Sequence, residues 1–318
     1  MKARRAAPDA RRSTRTLTQG ALLEPARAVL RRYGLHPRKA LGQNFLVDEA
    51  VLDAVVAAAE LAPDALAVEV GPGLGFLTER LAAVAGRVLA IELDEALGRV
   101  VEDRFGTLGK VTVRHANVLH TDLGADIGPE QPFTVVANIP YYITAPILRL
   151  FLEGPRRPEA IVLMVQREVA ERLAAKPGKM SLLSLSAQTY ATPEIVRLVP
   201  ATAFYPPPEV QSAIIRLRRR PQPAFSAELN PLVFTAARAA FHDRRKQIHN
   251  SLTIGLTYLG PDRIDTALSE AGVERTRRAE TLAVEEWGSL ARALQRQGMT
   301  TTGALGSAFD GEDNQEGS

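Results

Sequence analysis

The chain has 318 residues, is 46% hydrophobic and 24% charged, and carries a net charge of only +3, enough apolar mass for one large domain and a smaller one. It contains no cysteine, which excludes disulfides, thiolate metal sites and thiol nucleophiles and favours a reducing compartment, taken here as the cytoplasm. No apolar run reaches the length of a membrane span, the first residues lack a secretory signal's apolar stretch, and the scattered histidines lack the spacing of a zinc helix, so neither export, a membrane partner nor a metal is expected.

Residues 1–20 hold Lys2, Arg4, Arg5, Arg11, Arg12 and Arg15 against the single acid Asp9 and read as a disordered basic tail. Pro8 and Asp9 interrupt a helical transit pattern, which favours an RNA-contacting arm or a solubilising tail. Residues 21–220 are expected to form an α/β domain. Within it Leu66–Val70, Arg87–Ile91, Val111–Arg114, Phe133–Ala137 and Ala160–Val165 read as strands, with helices at Glu79–Ala85, Glu95–Phe105, Ala145–Leu152 and Glu168–Ala175. This alternation predicts a parallel sheet with helices on both faces, whose ligand lies beyond the carboxyl ends of the strands. Pro200–Pro208 is a proline-dense loop, Ala213–Leu217 a last strand, and Pro221–Pro223 a linker. Beyond it, 221–300 reads as a small α-helical domain, and 301–318, with Asp310, Glu312, Asp313 and Glu316, as a disordered acidic tail.

The strand ends carry the chemistry. Gly71, Gly73 and Gly75 occupy the turn after the first of these strands, where glycine lets a ligand approach the backbone. A dinucleotide fold would place a small residue where Phe76 stands, so this spacing suits a cofactor without pyrophosphate, such as S-adenosyl-L-methionine. Glu92, about 20 residues on, is placed to accept ribose hydroxyls. Asn117 follows the third strand, where an adenine ring would be held. At the end of the fourth strand stands Asn138-Ile139-Pro140-Tyr141. Such residues also make ordinary turns. They equally suit a planar base with an amino group: the Asn138 oxygen and the Ile139 carbonyl accept its hydrogens, Pro140 fixes the backbone, and Tyr141 stacks.

In this order the pieces resemble the ribosomal RNA adenine dimethyltransferase family, in its bacterial 16S rRNA branch. The resemblance runs from about Leu35 to Leu294, through Lys39-Ala40-Leu41-Gly42-Gln43-Asn44-Phe45-Leu46, the turn Glu69–Thr78, Asn138–Thr144, Gln166-Arg167-Glu168-Val169-Ala170, Phe204–Ala213 and Phe241-His242-Asp243-Arg244-Arg245-Lys246. It implies a Rossmann-like S-adenosylmethionine-dependent methyltransferase domain and dimethylation of two adjacent adenines near the 3' end of 16S rRNA. The implied partner is that RNA within an immature small ribosomal subunit, approached by a monomer. It also implies that Gln43, Asn44 and Leu46 join Gly71, Gly73, Glu92, Asn117 and Asn138 around the cofactor, and that Tyr141 and Phe204 sandwich a flipped adenine.

Three features depart from the family pattern. Asn117 replaces the usual Asp, Glu209 and Gln211 replace a Lys and an Asp, and Lys176–Ser184 lacks a Tyr-Gly pair. Arg244, Arg245 and Lys246 cannot all face the core of a helix with the stripe Phe241, Ile248 and Leu252, so phosphate contact is expected there, with Arg31, Arg32, Arg38, Lys39 and Arg218–Arg220 extending the basic surface. The alternatives are a 23S rRNA dimethyltransferase of the antibiotic-resistance type and a non-catalytic nucleic-acid-binding relative.

Overall fold

Leu66–Val70 is buried at every position, the mark of a central strand covered on both faces. The computed structural model that contains it describes residues 21–38, 41–128, 131–243 and 245–301, so the expected tails, Lys39 and Arg244 lie outside the described residues, apart from Thr301. In chain order the elements are α1 (Leu23–Arg32), β1 (Phe45–Leu46), α2 (Glu49–Ala59), β2 (Leu66–Val70), α3 (Phe76–Val84), β3 (Arg87–Glu92), α4 (Glu95–Phe105), β4 (Val111–His115) and α5 (Gly124–Ile127). They continue with β5 (Phe133–Asn138), α6 (Thr144–Glu153), β6 (Ala160–Gln166), α7 (Arg167–Leu173), α8 (Leu182–Tyr190), β7 (Ala191–Val199), β8 (Phe204–Tyr205) and β9 (Ser212–Arg219). Four helices close the described chain: α9 (Leu229–Phe241), α10 (Ile248–Gly255), α11 (Pro261–Glu270) and α12 (Val284–Arg296).

The sheet order is β4-β3-β2-β5-β6-β9-β7. The pairs from β4 to β6 are parallel, whereas β9 is antiparallel to both β6 and β7, so the sheet is mixed and not wholly parallel as expected. From β2 the chain steps outward to β3 and β4, then returns to β5 on the other side of β2. The crevice between β2 and β5 is therefore the switch point where ligands enter such sheets. A separate antiparallel ribbon pairs β1 with β8, setting Phe45 opposite Tyr205 and Leu46 opposite Phe204.

One face of the sheet packs on α2, α3 and α4 through residues such as Leu52, Val55, Leu81 and Val101, and the other on α6 through Ile147, Leu148 and Phe151. The last four helices surround the fully buried Trp287, whose ring lies 5.4 Å from that of Phe241. Helix α8 belongs to both sides: Leu182 and Leu185 pack into the helical core, Leu183 and Ala187 into the sheet core, and only Gln188 escapes full burial. Its start is fixed by Ser181 and Ser184, each capping the other's backbone N–H, while Gly178 and Met180 donate to the Glu280 carbonyl at 2.8 and 3.1 Å. The segment Lys176–Ser184 is thus a seam between the sheet and the helical bundle.

The basic block does not sit on one helix. Helix α9 stops at Phe241, and the Asp243 side chain accepts the Arg245 N–H at 3.2 Å, turning the chain before α10 starts at Ile248. Arg245 and Lys246 are exposed on this turn, with Lys246 3.5 Å from Asp243.

Candidate active site

Three successive glycines with positive φ (Gly71 at +71°, Gly73 at +56°, Gly75 at +81°) take the chain from β2 into α3 through a conformation that side chains resist. At Gly73 space matters as well, since a Cβ there would lie 3.2 Å from the Phe45 ring. The Gly73 N–H donates to one Glu92 oxygen at 3.2 Å and the Asp94 N–H to the other at 2.9 Å, so two backbone donors hold the carboxylate at the end of β3. Burial still pushes the Glu92 carboxyl up from its ordinary value against the pull of those donors.

Asp94, which sequence reasoning did not single out, organises the rim. One oxygen caps α4 by accepting from Ala96 at 3.0 Å, and the other faces the Arg38 guanidinium at 3.2 Å and the Gln43 amide nitrogen at 3.4 Å. The Gln43 oxygen accepts the Arg38 N–H at 2.8 Å, which ties the segment before β1 over the crevice. Arg38 therefore serves this rim instead of the outlying basic surface. Arg218 is likewise engaged, 2.9 Å from Glu60, which also pairs with Arg216.

Across the switch point, Asn138 ends β5 beside the glycine turn. Its amide nitrogen donates to the Asn44 carbonyl at 3.2 Å. A carbonyl can only accept, so this contact fixes which way the amide points and leaves the Asn138 oxygen as the acceptor. Pro140 then directs the backbone into a one-turn 3-10 helix, Tyr141–Ile143. Tyr141 is half-buried and its hydroxyl lies 2.6 Å from that of Ser212. Phe204 is buried opposite Leu46. The Asn117 oxygen already accepts the Leu119 N–H at 3.0 Å, leaving one lone pair for a ligand.

These residues share one cavity of about 550 Å³, within the size range of small-molecule sites. It gathers Gln43, Asn44, Leu46, Gly71, Gly73, Glu92, Asn117, Asn138, Ile139, Pro140, Tyr141 and Phe204. Its ionisable lining is Glu69, Glu92 and Asp94 against Arg38 alone. An excess of carboxylates repels a pyrophosphate and attracts a cation, which fits a sulfonium cofactor bearing an ammonium group. Glu69 adds a carboxyl that a bound cation would ionise. It is fully buried, and burial, against the pull of the neighbouring Thr78 hydroxyl and with the nearby Glu92 charge adding, pushes its carboxyl up to about 8. Its signal in the sequence was a lone acid inside the apolar strand Leu-Ala-Val-Glu-Val.

The Ribosomal RNA adenine dimethylase family matches residues 34–296. The chain belongs to that family. It is 43% identical over 267 residues to Ribosomal RNA small subunit methyltransferase A of Dehalococcoides mccartyi (strain ATCC BAA-2266 / KCTC 15142 / 195), covering 84% of this chain and 91% of that protein. The protein of the same name from Bacillus cereus (strain B4264) is 41% identical over 274 residues, covering 84% and 94%. Among solved structures, 23S rRNA methyltransferase ErmE is 30% identical with a TM-score of 0.66, covering 79% of this chain and all (100%) of that one. A dimethyladenosine transferase from Plasmodium falciparum shares the fold at 22% identity and a TM-score of 0.67, covering 81% and 99%. This member of the ribosomal RNA adenine dimethylases is therefore an S-adenosylmethionine-dependent enzyme with a Rossmann-like methyltransferase fold.

Proposed function

We propose that this dimethylase modifies the exocyclic amines of two adjacent adenines near the 3' end of 16S rRNA, acting in the cytoplasm as a monomer on an immature small ribosomal subunit. Relatives above 40% identity that are named for the small subunit support this RNA over the 23S alternative. The single observation that carries the chemistry is the Asn138 amide, pinned through its nitrogen to Asn44 with its oxygen left to accept, in a cavity shared with Tyr141 and Phe204. That arrangement supports a working enzyme over a non-catalytic binding relative.

In this reading Gln43, Asn44, Leu46, Gly71, Gly73, Glu92 and Asn117 hold S-adenosylmethionine, which supplies an electrophilic methyl group when bound. Tyr141 and Phe204 receive an adenine drawn out of its stack. The adenine amine is a weak nucleophile because its lone pair is delocalised into the ring. The Asn138 oxygen and the Ile139 carbonyl accept its hydrogens and aim that lone pair, so orientation and fixed dipoles lower the barrier. The proton leaves to solvent after transfer, and no base is required. Arg245 and Lys246, with Arg244, contact RNA phosphate.

The test is methyl transfer from labelled S-adenosylmethionine to small-subunit particles from cells lacking the modification. Label is expected in 16S rRNA, released as N6,N6-dimethyladenosine. Label confined to 23S rRNA would support the resistance reading, and none in any RNA the binding module. Asn138→Ala should lower transfer by about 10²- to 10³-fold while RNA retention stays unchanged.

A further inference from the structure

We propose that Ser212 is a positioning residue for base recognition, its hydroxyl holding the Tyr141 ring at the angle that sets the adenine slot between Tyr141 and Phe204. This rests on the reading that those two rings flank the target base. Tyr141 opens a single 3-10 turn and belongs to no strand, so its own backbone gives its ring little support. The support lies at the far end of the side chain, in the 2.6 Å contact between the Tyr141 and Ser212 hydroxyls.

Ser212 is a rigid anchor. It is fully buried, and as the first residue of β9 it stands in register with Gln166 of β6 on one side and Val199 of β7 on the other. The residue before it is fixed too: the Gln211 carbonyl accepts the Arg167 N–H at 3.0 Å and its side-chain oxygen accepts from the Arg167 guanidinium at 3.3 Å. Phe204 is held independently by its pairing with Leu46. The segment from Phe204 to Ser212 therefore carries one wall of the slot at its start and the anchor of the other wall at its end, with Pro206, Pro207 and Pro208 stiffening the interval.

Stacking alone would be served equally by phenylalanine at position 141. The Tyr141 hydroxyl is explained by the anchor. Burial raises its pKa, so the phenol keeps its proton and remains able to hydrogen-bond a neutral hydroxyl. Aromatic rings and bases prefer defined offsets, so a ring free to swing presents its face to the base for less of the time.

The experiment compares Ser212→Ala, Ser212→Thr, Tyr141→Phe and the double variant Ser212→Ala/Tyr141→Phe. At saturating RNA and cofactor, kcat should fall about three- to tenfold in Ser212→Ala and in Tyr141→Phe, with no further fall in the double variant and recovery in Ser212→Thr. The dissociation constant for S-adenosylmethionine, measured without RNA, should stay unchanged. A second readout uses no RNA: in protein with 13C-labelled tyrosine, the ring signals missing from Tyr141→Phe identify Tyr141. Those signals should shift and broaden in Ser212→Ala but not in Ser212→Thr. Unchanged ring signals would overturn the anchor whatever RNA the enzyme methylates. Losses that multiply in the double variant would overturn the coupling. A wild-type enzyme inactive on small-subunit RNA would defeat the functional reading while leaving the ring measurement to decide the anchor.

Discussion

Glu69 makes both folding and cofactor binding sensitive to pH. Its carboxyl is held neutral from the ordinary value of 4.5 up to about 8, chiefly by burial. Below pH 4.5 it is protonated in folded and unfolded chains alike, and it adds no pH dependence. As pH rises from there to about 8, the unfolded chain has released the proton that the folded state still binds, so stability is lost across that window, about 5 kcal/mol in all. Glu69→Gln removes the titrating group, and its stability, measured by urea unfolding between pH 5 and pH 8, should fall much less steeply than that of the wild type. The cofactor's positive charge reverses the balance by favouring the carboxylate. At pH 7 binding should therefore release up to about 0.9 proton per site. Calorimetry in buffers of differing ionisation enthalpy measures that release directly. Glu69→Gln should therefore lose this release. Binding without proton release, together with equal pH slopes for wild type and variant, would refute the argument.

Substitutions at two further positions test the walls of the cavity. Gly73→Ala puts a methyl 3.2 Å from the Phe45 ring at a φ of +56°. The strain of about 1 kcal/mol should lower Tm by about 2–4 °C. Cofactor affinity should weaken at least about tenfold, because backbone approach is what this glycine permits; an unchanged dissociation constant would count against a cofactor at the turn. Asp94→Ala removes the cap of α4 and frees Arg38 and Gln43, and should cost about 1 kcal/mol of stability along with cofactor affinity. Asp94→Asn keeps a capping oxygen and should recover the stability but not all of the affinity. Equal thermal unfolding of the two variants would remove the capping argument.

The doubly wound core was readable because its strands are short, apolar and separated by helical runs, so Leu66–Val70 is predicted to the residue. Strand β7 escaped notice for a physical reason. It is a half-exposed edge strand with Pro193 inside it, the composition that demotes a strand on paper. Helix α8 is buried on almost every side and shows no polar face from which a helical period could be read, although Ser181 and Ser184 marked its start. The pairing of β1 with β8 joins segments far apart in sequence, and two residues on each side leave no local pattern. In the site, residue types foretold the strand-end positions, including Glu92 and Asn138. Asp94 and Ser212 were hidden because their importance lies in what they hold, Arg38 and Gln43 in one case and Tyr141 in the other, and a linear sequence shows no such partners.

Because α8 is built into two cores at once, swinging the helical bundle away from the sheet would expose Leu182 and Leu185 on one side or Leu183 and Ala187 on the other. Packing shared in this way resists a change in the spacing of the two halves, as the frame of a caliper resists bending. Under the proposed function, the basic turn at Arg245 and Lys246 and the mouth of the pocket keep a constant span. On that reading an RNA would be gauged by whether its folded shape brings a phosphate and an extractable adenine to that span. Selectivity of this kind needs few base contacts, and it would be lost on a short, unstructured oligonucleotide carrying the same adenines.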